Sequence, residues 1–543
     1  MSYLPLRNTR CTPLRHALAL AAVAALAQPA GAAELINTDD LSLRWDNSIK
    51  YTLGARTTKP SSFYTANLNT NDGDAAFPDK RDIVTNRLDL LSEFDLTFKD
   101  KASSGLRISA AAWYDHVYRR SHAAIDPLSY NASSVSNTEF TAYARKWAGA
   151  NAEFYDAFVH SGVDIGGHNL SFRLGRHTLM WGESLMLPGN GIAAGQAPTD
   201  VNKVLTVPGI QTKDFLMPVN QLSASFALTP KWDLAGYYQL EFRPTRLPPS
   251  GTFFSPADLI FDGAERLMLA PGFGVPLQGT QQPPERKGQY GIAAKYRDQQ
   301  SGSDYGFYYL RYTDKTPQVI LQLNPIPVPP FMMPTNYFFV YPQKIDVYGV
   351  STSSHVGDAS VAGEVSIRNN TPLTSLASAL VAFPGVPLDA VDNPVYAVGR
   401  SLHFQASTIW QLPRLPGFDA ASLVGEIGGN TLLKTTRNAA ARNTETSKTE
   451  LKMGLSFEPT WYQALADIDL SLPLTLMYNF NAKTPAVAST GGSARGGSLA
   501  LALKFTYANS IKGALQYTRQ LGRDQDNAFG DRDFIALNLN YSF

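Results

Sequence analysis

The chain ends on the stretch Ile535-Ala536-Leu537-Asn538-Leu539-Asn540-Tyr541-Ser542-Phe543, in which every second side chain is large and apolar. Successive side chains of a β-strand point to opposite faces, so the five large residues would share one face and the four small or polar residues the other. Such a strand suits a sheet with one apolar and one hydrophilic surface. The stretch therefore predicts antiparallel β-structure and supplies the pattern to look for elsewhere.

The same alternation recurs along the chain, and there the hydrophilic face carries full charges. In residues 87–99, the apolar set Leu88, Leu90, Phe94, Leu96 and Phe98 alternates with Arg87, Asp89, Glu93, Asp95, Thr97 and Lys99. The dry core of a soluble β-sandwich would not tolerate unpaired charges. A transmembrane barrel accommodates both faces, because one meets lipid and the other a wet lumen.

Counting these segments predicts an all-β chain that folds as a transmembrane antiparallel β-barrel of about 18 strands (16–18). The segments lie near residues 41–56, 87–99, 104–118, 153–164, 168–181, 219–229, 231–242, 287–298, 303–314, 342–356, 358–370, 399–412, 419–431, 448–460, 466–479, 496–508, 510–521 and 533–543.

The connections between these segments alternate in length. Those that follow odd-numbered segments are long, and include 57–86, 119–152, 182–218, 243–286, 315–341 and 371–398. Those that follow even-numbered segments are tight turns. Transmembrane barrels combine long extracellular loops with short periplasmic turns, so we expect the long connections to lie outside the cell.

The first 33 residues form a separate unit. A basic region with Arg7, Arg10 and Arg15 precedes a short apolar run, and small residues stand just before Glu34. This order predicts a secretory signal peptide at residues 1–33 and an outer-membrane barrel at 34–543.

Composition excludes several classes of function. The only cysteine, Cys11, lies in the signal peptide, so disulfides, thiolate metal sites and a cysteine nucleophile are not expected in the remainder. The chain has 47 Lys and Arg against 46 Asp and Glu, and losing the three signal-peptide arginines leaves 44 against 46. A chain this close to neutral gives no reason to expect nucleic-acid binding.

Several stretches resemble a large proteobacterial outer-membrane family, the domain of unknown function 1302. They are Asn86 to Leu96, Leu174-Gly175-Arg176-His177, Trp181-Gly182-Glu183-Ser184, Pro198 to Lys203, Pro208-Gly209, Met217-Pro218 and Gly251 to Asp258. The terminal Phe543 on an alternating strand also resembles the C-terminal signature that outer-membrane insertion machinery reads. Members of the family are often encoded beside inner-membrane transporters of the resistance-nodulation-division type and a periplasmic carrier. The resemblance thus implies traffic of hydrophobic compounds across the envelope, and no catalytic residue.

The hydrophilic face of the first three strands is predicted to line the lumen with charges. These residues are Arg44, Asp46, Lys50, Arg87, Asp89, Glu93, Asp95, Arg107 and Asp115. Opposite charges on neighbouring strands are close enough to pair. One interpretation is an ion-pair lattice that braces the wall; the other is a polar constriction that orients a ligand.

Segment 182–218 is a candidate for a loop that folds into the lumen. It follows Trp181 and Glu183, holds several glycines and has few charges for its length. An extracellular loop packed on its neighbours is the alternative.

Three other long connections are unusually apolar. Phe253 and Phe254 stand in 243–286, and Phe331, Met332 and Met333 in 315–341. The proline content of these segments favours extended or turn structure over strand. With Trp181 and Glu183, these five residues are our hypothesis for ligand binding or gating, since exposed apolar patches mark such sites. Loops that bury the same residues as a lid are the alternative.

We therefore expect an outer-membrane channel, transporter or receptor for hydrophobic or amphipathic small molecules, surrounded by outer-membrane lipid and lipopolysaccharide. The alternatives are a general porin-like diffusion channel, a structural partner of an envelope export complex and an outer-membrane lipid hydrolase. No catalytic residue, cofactor or metal is predicted, although the oxygen-rich stretch Asn69 to Asp79 leaves a calcium site open.

Overall fold

A computed structural model describes residues 33–100, 102–206, 215–260, 262–280, 287–327, 331–414, 416–488, 494–508 and 510–543. Nearly all of the predicted signal peptide thus lies outside the described residues. Within the described ranges, no helix combines the length and the apolar character needed to cross a membrane.

Alternating side chains produce strands along most of the chain. In chain order these are β1 (Ala33–Asn37), β2 (Leu41–Arg56), β3 (Ile83–Phe98), β4 (Gly105–Asp115), β5 (Ala150–Ile165), β6 (His168–His177), β7 (Val219–Ala227), β8 (Trp232–Gln239), β9 (Arg266–Ala270), β10 (Phe273–Thr280), β11 (Gln289–Asp298), β12 (Ser303–Tyr312), β13 (Gln318–Pro325), β14 (Met332–Val340), β15 (Ile345–Val356), β16 (Ala359–Pro372), β17 (Val381–Ala382), β18 (Val398–Leu412), β19 (Ala420–Arg437), β20 (Thr449–Leu465), β21 (Ile468–Ser471), β22 (Leu474–Asn479), β23 (Gly496–Tyr507), β24 (Ile511–Gly522) and β25 (Phe534–Ser542).

The helical pieces are all short. They are Ser62–Thr65, Asp72–Ala76, Ala142–Ala144 and Val201–Thr206, a π-helical turn at Arg145–Gly149, and 3-10 turns at Val117–Arg119, Ile192–Gly195, Ala377–Ala379 and Ala439–Ala441.

Eighteen strands close into an antiparallel barrel. The last strand, β25, pairs with β2 from Ser48 opposite Ser542 to Arg56 opposite Phe534, which seals the sheet on itself. Segments β21 and β22 serve as one barrel strand, because both pair with β20 and β23 on either side of Pro473. The predicted architecture and strand count are confirmed.

The alternation separates a lipid face from a lumen face. On β23, Leu501 and Leu503 are 45% and 49% exposed on the outside, whereas Ala502 between them is buried. Full closure pairs each described barrel strand on both sides, which a lipid environment requires of any sheet.

The tight turns gather at one end of the barrel, and the long loops at the other. The β5–β6 turn uses Gly166 and Gly167 at φ +64° and +84°, a backbone region that favours glycine. We refer to the two rims as the turn end and the loop end.

Strand content in the apolar loops corrects the sequence-based expectation. The proline-rich segments were expected to be extended or turn structure, yet β9, β10, β13, β14 and β17 form a second, five-stranded sheet. Pro334 lies in β14 opposite Leu323, next to an irregularity in the β13–β14 register. Pro276 lies in β10 opposite Arg266 of β9. A proline removes one donor, and at Pro334 the irregular pairing beside it absorbs that loss.

The remaining loops pack on each other over the loop end. Phe253 and Phe254 are 0% and 3% exposed within a cluster that includes Phe77, Tyr118 and Phe534. Beside it, the buried Asp74 carboxylate pairs with Arg532 and with Arg56, whose Nη2 lies 3.2 Å from Asp74 Oδ1. This loop core covers part of the barrel mouth.

Candidate functional site in the lumen

The described parts of the connection between β6 and β7 run through the barrel interior rather than over its rim. Its described parts, 178–206 and 215–218, make contacts with β16, β18 and β19, which lie on another part of the ring. We call these residues the inner segment. The inward-folded loop considered from the sequence is therefore the arrangement that the structure has.

Two carboxylates of the wall hold the inner segment by its backbone. Glu364 of β16 accepts hydrogen bonds from the Glu183 and Ile192 amides, each 2.7 Å long, through its two different oxygens. Glu426 of β19 accepts through one oxygen from three consecutive amides, those of Leu185, Met186 and Leu187. Both side chains are buried, and hydrogen bonds to an ionised group are stronger than neutral ones. Each carboxylate therefore holds part of the inner segment against the wall, and we call Glu364 and Glu426 the latches.

An apolar contact anchors the inner segment to a second part of the wall. The Trp181 ring lies 5.1 Å from the Tyr237 ring of β8 and 6.0 Å from the Tyr308 ring of β12, measured between centroids. Ile192 joins the same buried cluster. The inner segment therefore fills the lumen beside the wall strands that run from β8 to β19.

The predicted charges lie on the opposite part of the wall, on strands β2 to β4, and most of them form ion pairs. We call this part of the wall the charged arc. Arg107 lies 3.1 Å from Asp95 and 3.6 Å from Asp156, and also pairs with Glu93. The other close pairs are Arg87 with Asp89 at 2.7 Å and Arg44 with Asp46 at 3.0 Å. Such a lattice braces the wall and presents both signs of charge to the lumen.

Lys50 and Asp115 lie apart from these pairs. Lys50 is opposite Asp89 in the β2–β3 register and lines a small cavity of about 120 Å³ under the inner segment. Asp115 is buried at the loop-end terminus of β4, where it accepts hydrogen bonds from Thr85 at 2.6 Å and from the Val117 amide at 2.9 Å. Asp115 thus fixes a strand end and does not face open lumen.

A larger cavity of about 1090 Å³ lies between the charged arc and the inner segment. Arg107, Asp156, Arg173 and Lys295 line it, together with Met180 and Trp181 of the inner segment. Because Ala102 and Ser103 of the β3–β4 turn also line it, the cavity reaches the turn end. Its walls thus combine charged and apolar surface.

The five loop residues proposed for ligand binding fall into two groups. Phe253 and Phe254 are buried in the loop core, which is the arrangement that the lid alternative expects. Phe331, Met332 and Met333 are 63%, 41% and 41% exposed at the β13–β14 connection. Only the second group presents apolar surface to the outside.

Sequence reasoning missed Glu364, Glu426 and Lys203. The two glutamates stand on the hydrophilic faces of their strands among small residues. The alternation of the strand could have placed them in the lumen, but it gives no indication of what they bind. Lys203 is buried, with its ammonium 4.4 Å from the centre of the Tyr155 ring. Its partner could not be read from the sequence, because Tyr155 lies on β5 and Lys203 on the inner segment.

The arrangement offers little to a hydrolase. His177 Nε2 lies 2.8 Å from Ser223 Oγ, but its Nδ1 faces the Gly175 carbonyl oxygen at 3.1 Å, where a triad would place a carboxylate. Among the described residues, no group of three or more His, Cys, Asp or Glu side chains is placed to hold a metal ion. In the oxygen-rich stretch Asn69 to Asp79, Asp74 pairs with two arginines.

Comparison with known proteins gives one family and a set of distant barrels. A family model described as "Protein of unknown function (DUF1302)" matches residues 14–543. Among solved structures, OccAB3 of Acinetobacter baumannii is 9% identical, with 92% of this chain and 99% of that chain covered and a TM-score of 0.45. OccAB4 of the same organism is 9% identical, with 93% and 98% covered and a TM-score of 0.43. The outer-membrane channel DcaP, also from A. baumannii, is 9% identical, with 93% and 99% covered and a TM-score of 0.37. No curated protein sequence matches significantly.

Proposed function

We propose that this chain, which belongs to the DUF1302 family, is an outer-membrane channel through which hydrophobic or amphipathic small molecules cross. A closed barrel with a lipid-facing apolar surface is one of the two architectures that can span a bilayer. The long loops would face the medium and the turn end the periplasm.

The observation that carries the proposal is the inner segment. It crosses the lumen and joins an apolar surface, around Met180 and Trp181, to a charged wall around Arg107. A solute with both apolar and polar parts could contact both surfaces at once. Burying one large apolar side chain against such a solute contributes about 1.5–3 kcal/mol.

The exposed tip of the β13–β14 hairpin is the proposed point of first contact. Phe331, Met332 and Met333 form an adaptable apolar surface there, since methionine is flexible and polarisable. The loop core around Phe253 and Phe254 would then limit entry to solutes that bind.

A general porin is the second candidate, and the charged arc favours it. Paired charges around Arg107 resemble the polar wall that ions and sugars would need. The two functions differ in conductance, because a general porin stays open to small ions whereas a ligand-gated lumen does not.

The test combines bilayer recording with uptake. Reconstituted protein is expected to show little steady ion conductance, and cells that lack it should take up a fluorescent apolar compound more slowly or accumulate it. Changing Phe331, Met332 and Met333 together to serine should lower the uptake rate severalfold. The control is Phe63→Ser, on another loop and 52% exposed, which should leave uptake unchanged. Large steady conductance, with uptake indifferent to the triple change, would favour the porin.

The proposal extends to partners on the periplasmic side. The family resemblance suggests a resistance-nodulation-division type transporter and a periplasmic carrier, which would meet the barrel at its turn end. Chemical crosslinking from cysteines placed in the β11–β12 turn, followed by mass spectrometry, should recover such a partner. Recovery of lipid-synthesis or secretion proteins alone would count against it.

A further inference from the structure

Two positive charges lie side by side on the lipid face of the barrel, close to the loop end. Arg400 of β18 and Lys434 of β19 are opposite each other in the register of the two strands. Both side chains are exposed, whereas Ser401 and Leu432, the next pair in that register, are buried on the other face. Side chains at such opposite positions are roughly 5 Å apart at Cβ, and like charges there destabilise a sheet. An anion bound between the two would remove this repulsion.

No described carboxylate forms an ion pair with Arg400 or Lys434. The one side-chain hydrogen bond of Arg400 within the described ranges runs from Nε to the neutral amide of Asn369, whose Oδ1 accepts it at 2.6 Å. Acidic groups of the same rim are matched by other cations. They are Asp346 with Arg311 at 2.7 Å, Glu445 with Lys483 at 3.2 Å, and Asp389 with Lys344 and Arg437 nearby. The repulsion between Arg400 and Lys434 is therefore not relieved within the described part of the chain.

The loops beside this pair add to its positive charge. Residues 369–400 and 434–448 hold five cations and three acids. The cations are Arg400, Lys434, Arg437, Arg442 and Lys448, and the acids are Asp389, Asp392 and Glu445. Lys344 and Lys483 raise the cations around these acids to seven. Positive charge is in excess even when all three acids are counted against it, and basic clusters beside a membrane attract anionic headgroups.

Arg400 stands at the level where a lipid headgroup would lie. Trp410, on the same face of β18 and 41% exposed, marks the turn-end border of the lipid face, since tryptophan is enriched at membrane interfaces. The stretch from Arg400 to Trp410 spans about 33 Å along a strand. At a tilt of about 40° this covers about 25 Å of thickness, which is the height of the apolar band in such barrels. Arg400 therefore lies at the loop-end border of that band.

Aliphatic side chains continue from the pair toward the middle of the membrane. Ile367 of β16 is opposite Leu402 of β18, and Ile367 and Leu433 are 39% and 49% exposed on the lipid face. The surface thus places two cations above an aliphatic patch. A lipid with a phosphate group and several acyl chains matches both parts, because a guanidinium group binds phosphate through paired hydrogen bonds.

We propose that Arg400 and Lys434 hold a phosphate group of lipopolysaccharide in the outer leaflet, with acyl chains of the same molecule against Ile367, Leu402 and Leu433. The inference rests on the orientation given with the proposed function, in which the loop end faces the medium. It concerns the outer wall of the barrel and does not depend on which solute crosses the lumen.

The test is native mass spectrometry of the intact barrel in a neutral detergent, titrated with the lipid moiety of lipopolysaccharide. The phosphorylated form should bind with a Kd about tenfold lower than the same lipid without its phosphates. Phosphatidylglycerol, which has a phosphate but fewer acyl chains, should compete about tenfold less well. Equal binding of the two lipopolysaccharide forms would overturn the proposal. Competition by phosphatidylglycerol as strong as by lipopolysaccharide would also overturn it and assign the site to phospholipid.

Variants locate the binding on the barrel wall. Arg400→Gln combined with Lys434→Gln should raise the Kd for the phosphorylated lipid about tenfold and remove the preference for phosphate. The matched control combines Lys231→Gln with Lys512→Gln, two exposed cations at the turn end, and should bind like the native protein. A first variant that keeps the preference for phosphate rejects the site. If that variant fails to fold, Lys434→Gln alone, at an exposed position, replaces it.

Conductance and uptake separate this inference from the proposed function. The variant at Arg400 and Lys434 should conduct ions and take up the apolar compound like the native barrel, because both residues lie on the lipid face. Failure of the channel tests, together with phosphate-selective lipid binding, would reject the proposed function and keep the lipid site. Antibody access to the loop end only after permeabilisation would place the pair in the periplasmic leaflet and overturn the assignment to lipopolysaccharide.

Discussion

Leu501 and Ala500 are adjacent on β23 but face different surroundings. Leu501 is 45% exposed on the lipid face, whereas Ala500 pairs with Thr475 and Thr518 on the lumen face. A charge at the first position must enter hydrocarbon, while a charge at the second can reach water.

Leu501→Arg is therefore expected to destabilise the folded barrel by about 2–4 kcal/mol if the residue lies near the bilayer midplane. Ala500→Arg should cost clearly less. The measurement is equilibrium unfolding of each variant in lipid vesicles, followed by tryptophan fluorescence. Equal losses at the two positions would show that the assignment of faces on β23 is wrong.

Odd- and even-numbered residues of a strand point to opposite faces, which is a local property of the chain. The sequence therefore predicted which side chains of the charged arc share a face. It could not predict that Phe253 is buried. Phe253 packs against Phe77 and lies in one cluster with Phe534, and no local pattern indicates that these three distant residues meet. Tyr155 and Lys203 were beyond sequence reasoning for the same reason.

The inner segment is the element that decides how open the lumen is. Five amide hydrogen bonds join it to Glu364 and Glu426. Hydrogen bonds to charged groups contribute about 1.5–3 kcal/mol each, so these two side chains are expected to set the balance between the closed segment and a displaced one.

Changing both Glu364 and Glu426 to glutamine should raise single-channel conductance or open probability about tenfold. A neutral amide oxygen is a weaker acceptor than a carboxylate for the three amides at Glu426, and at Glu364 the second oxygen becomes an NH2 group that faces an amide donor. Planar-bilayer recording is the measurement. Glu458→Gln is the matched control: it also lies on the lumen face, of β20, but pairs with Lys504. A double variant as closed as the native barrel would mean that the Trp181 contact alone holds the segment.

Barrel strands were predicted to within a few residues, and loop strands were not. A barrel strand has one face in lipid and one in water, so its sequence alternates strictly. In strands β13 and β14 the burial of the side chains does not alternate regularly. The prolines in this part of the sequence also favoured turn or extended structure over strand. From the sequence, segment 182–218 could fold inward or pack outside the barrel. No local pattern distinguishes the two, because the wall carboxylates that hold the segment lie far along the chain.

At the scale of the whole molecule, the loop end is expected to face the medium. A tag inserted after Asn67, which is exposed in the loop between β2 and β3, should be reached by antibody on intact cells. Asn71 would be a poor site because it is 6% exposed. A tag at Gln300, in the β11–β12 turn, should be labelled only after permeabilisation. The reverse pattern would invert the orientation.

The latches also constrain the order of assembly. The amide of Glu183 meets a carboxylate 181 residues later in the chain, and that of Leu187 meets one 239 residues later. The inner segment therefore cannot reach its final position until β16 and β19 have been added to the growing sheet. The nine residue pairs between β25 and β2 close the ring at a different seam. The constriction therefore depends on wall strands that come much later in the chain than the segment they hold.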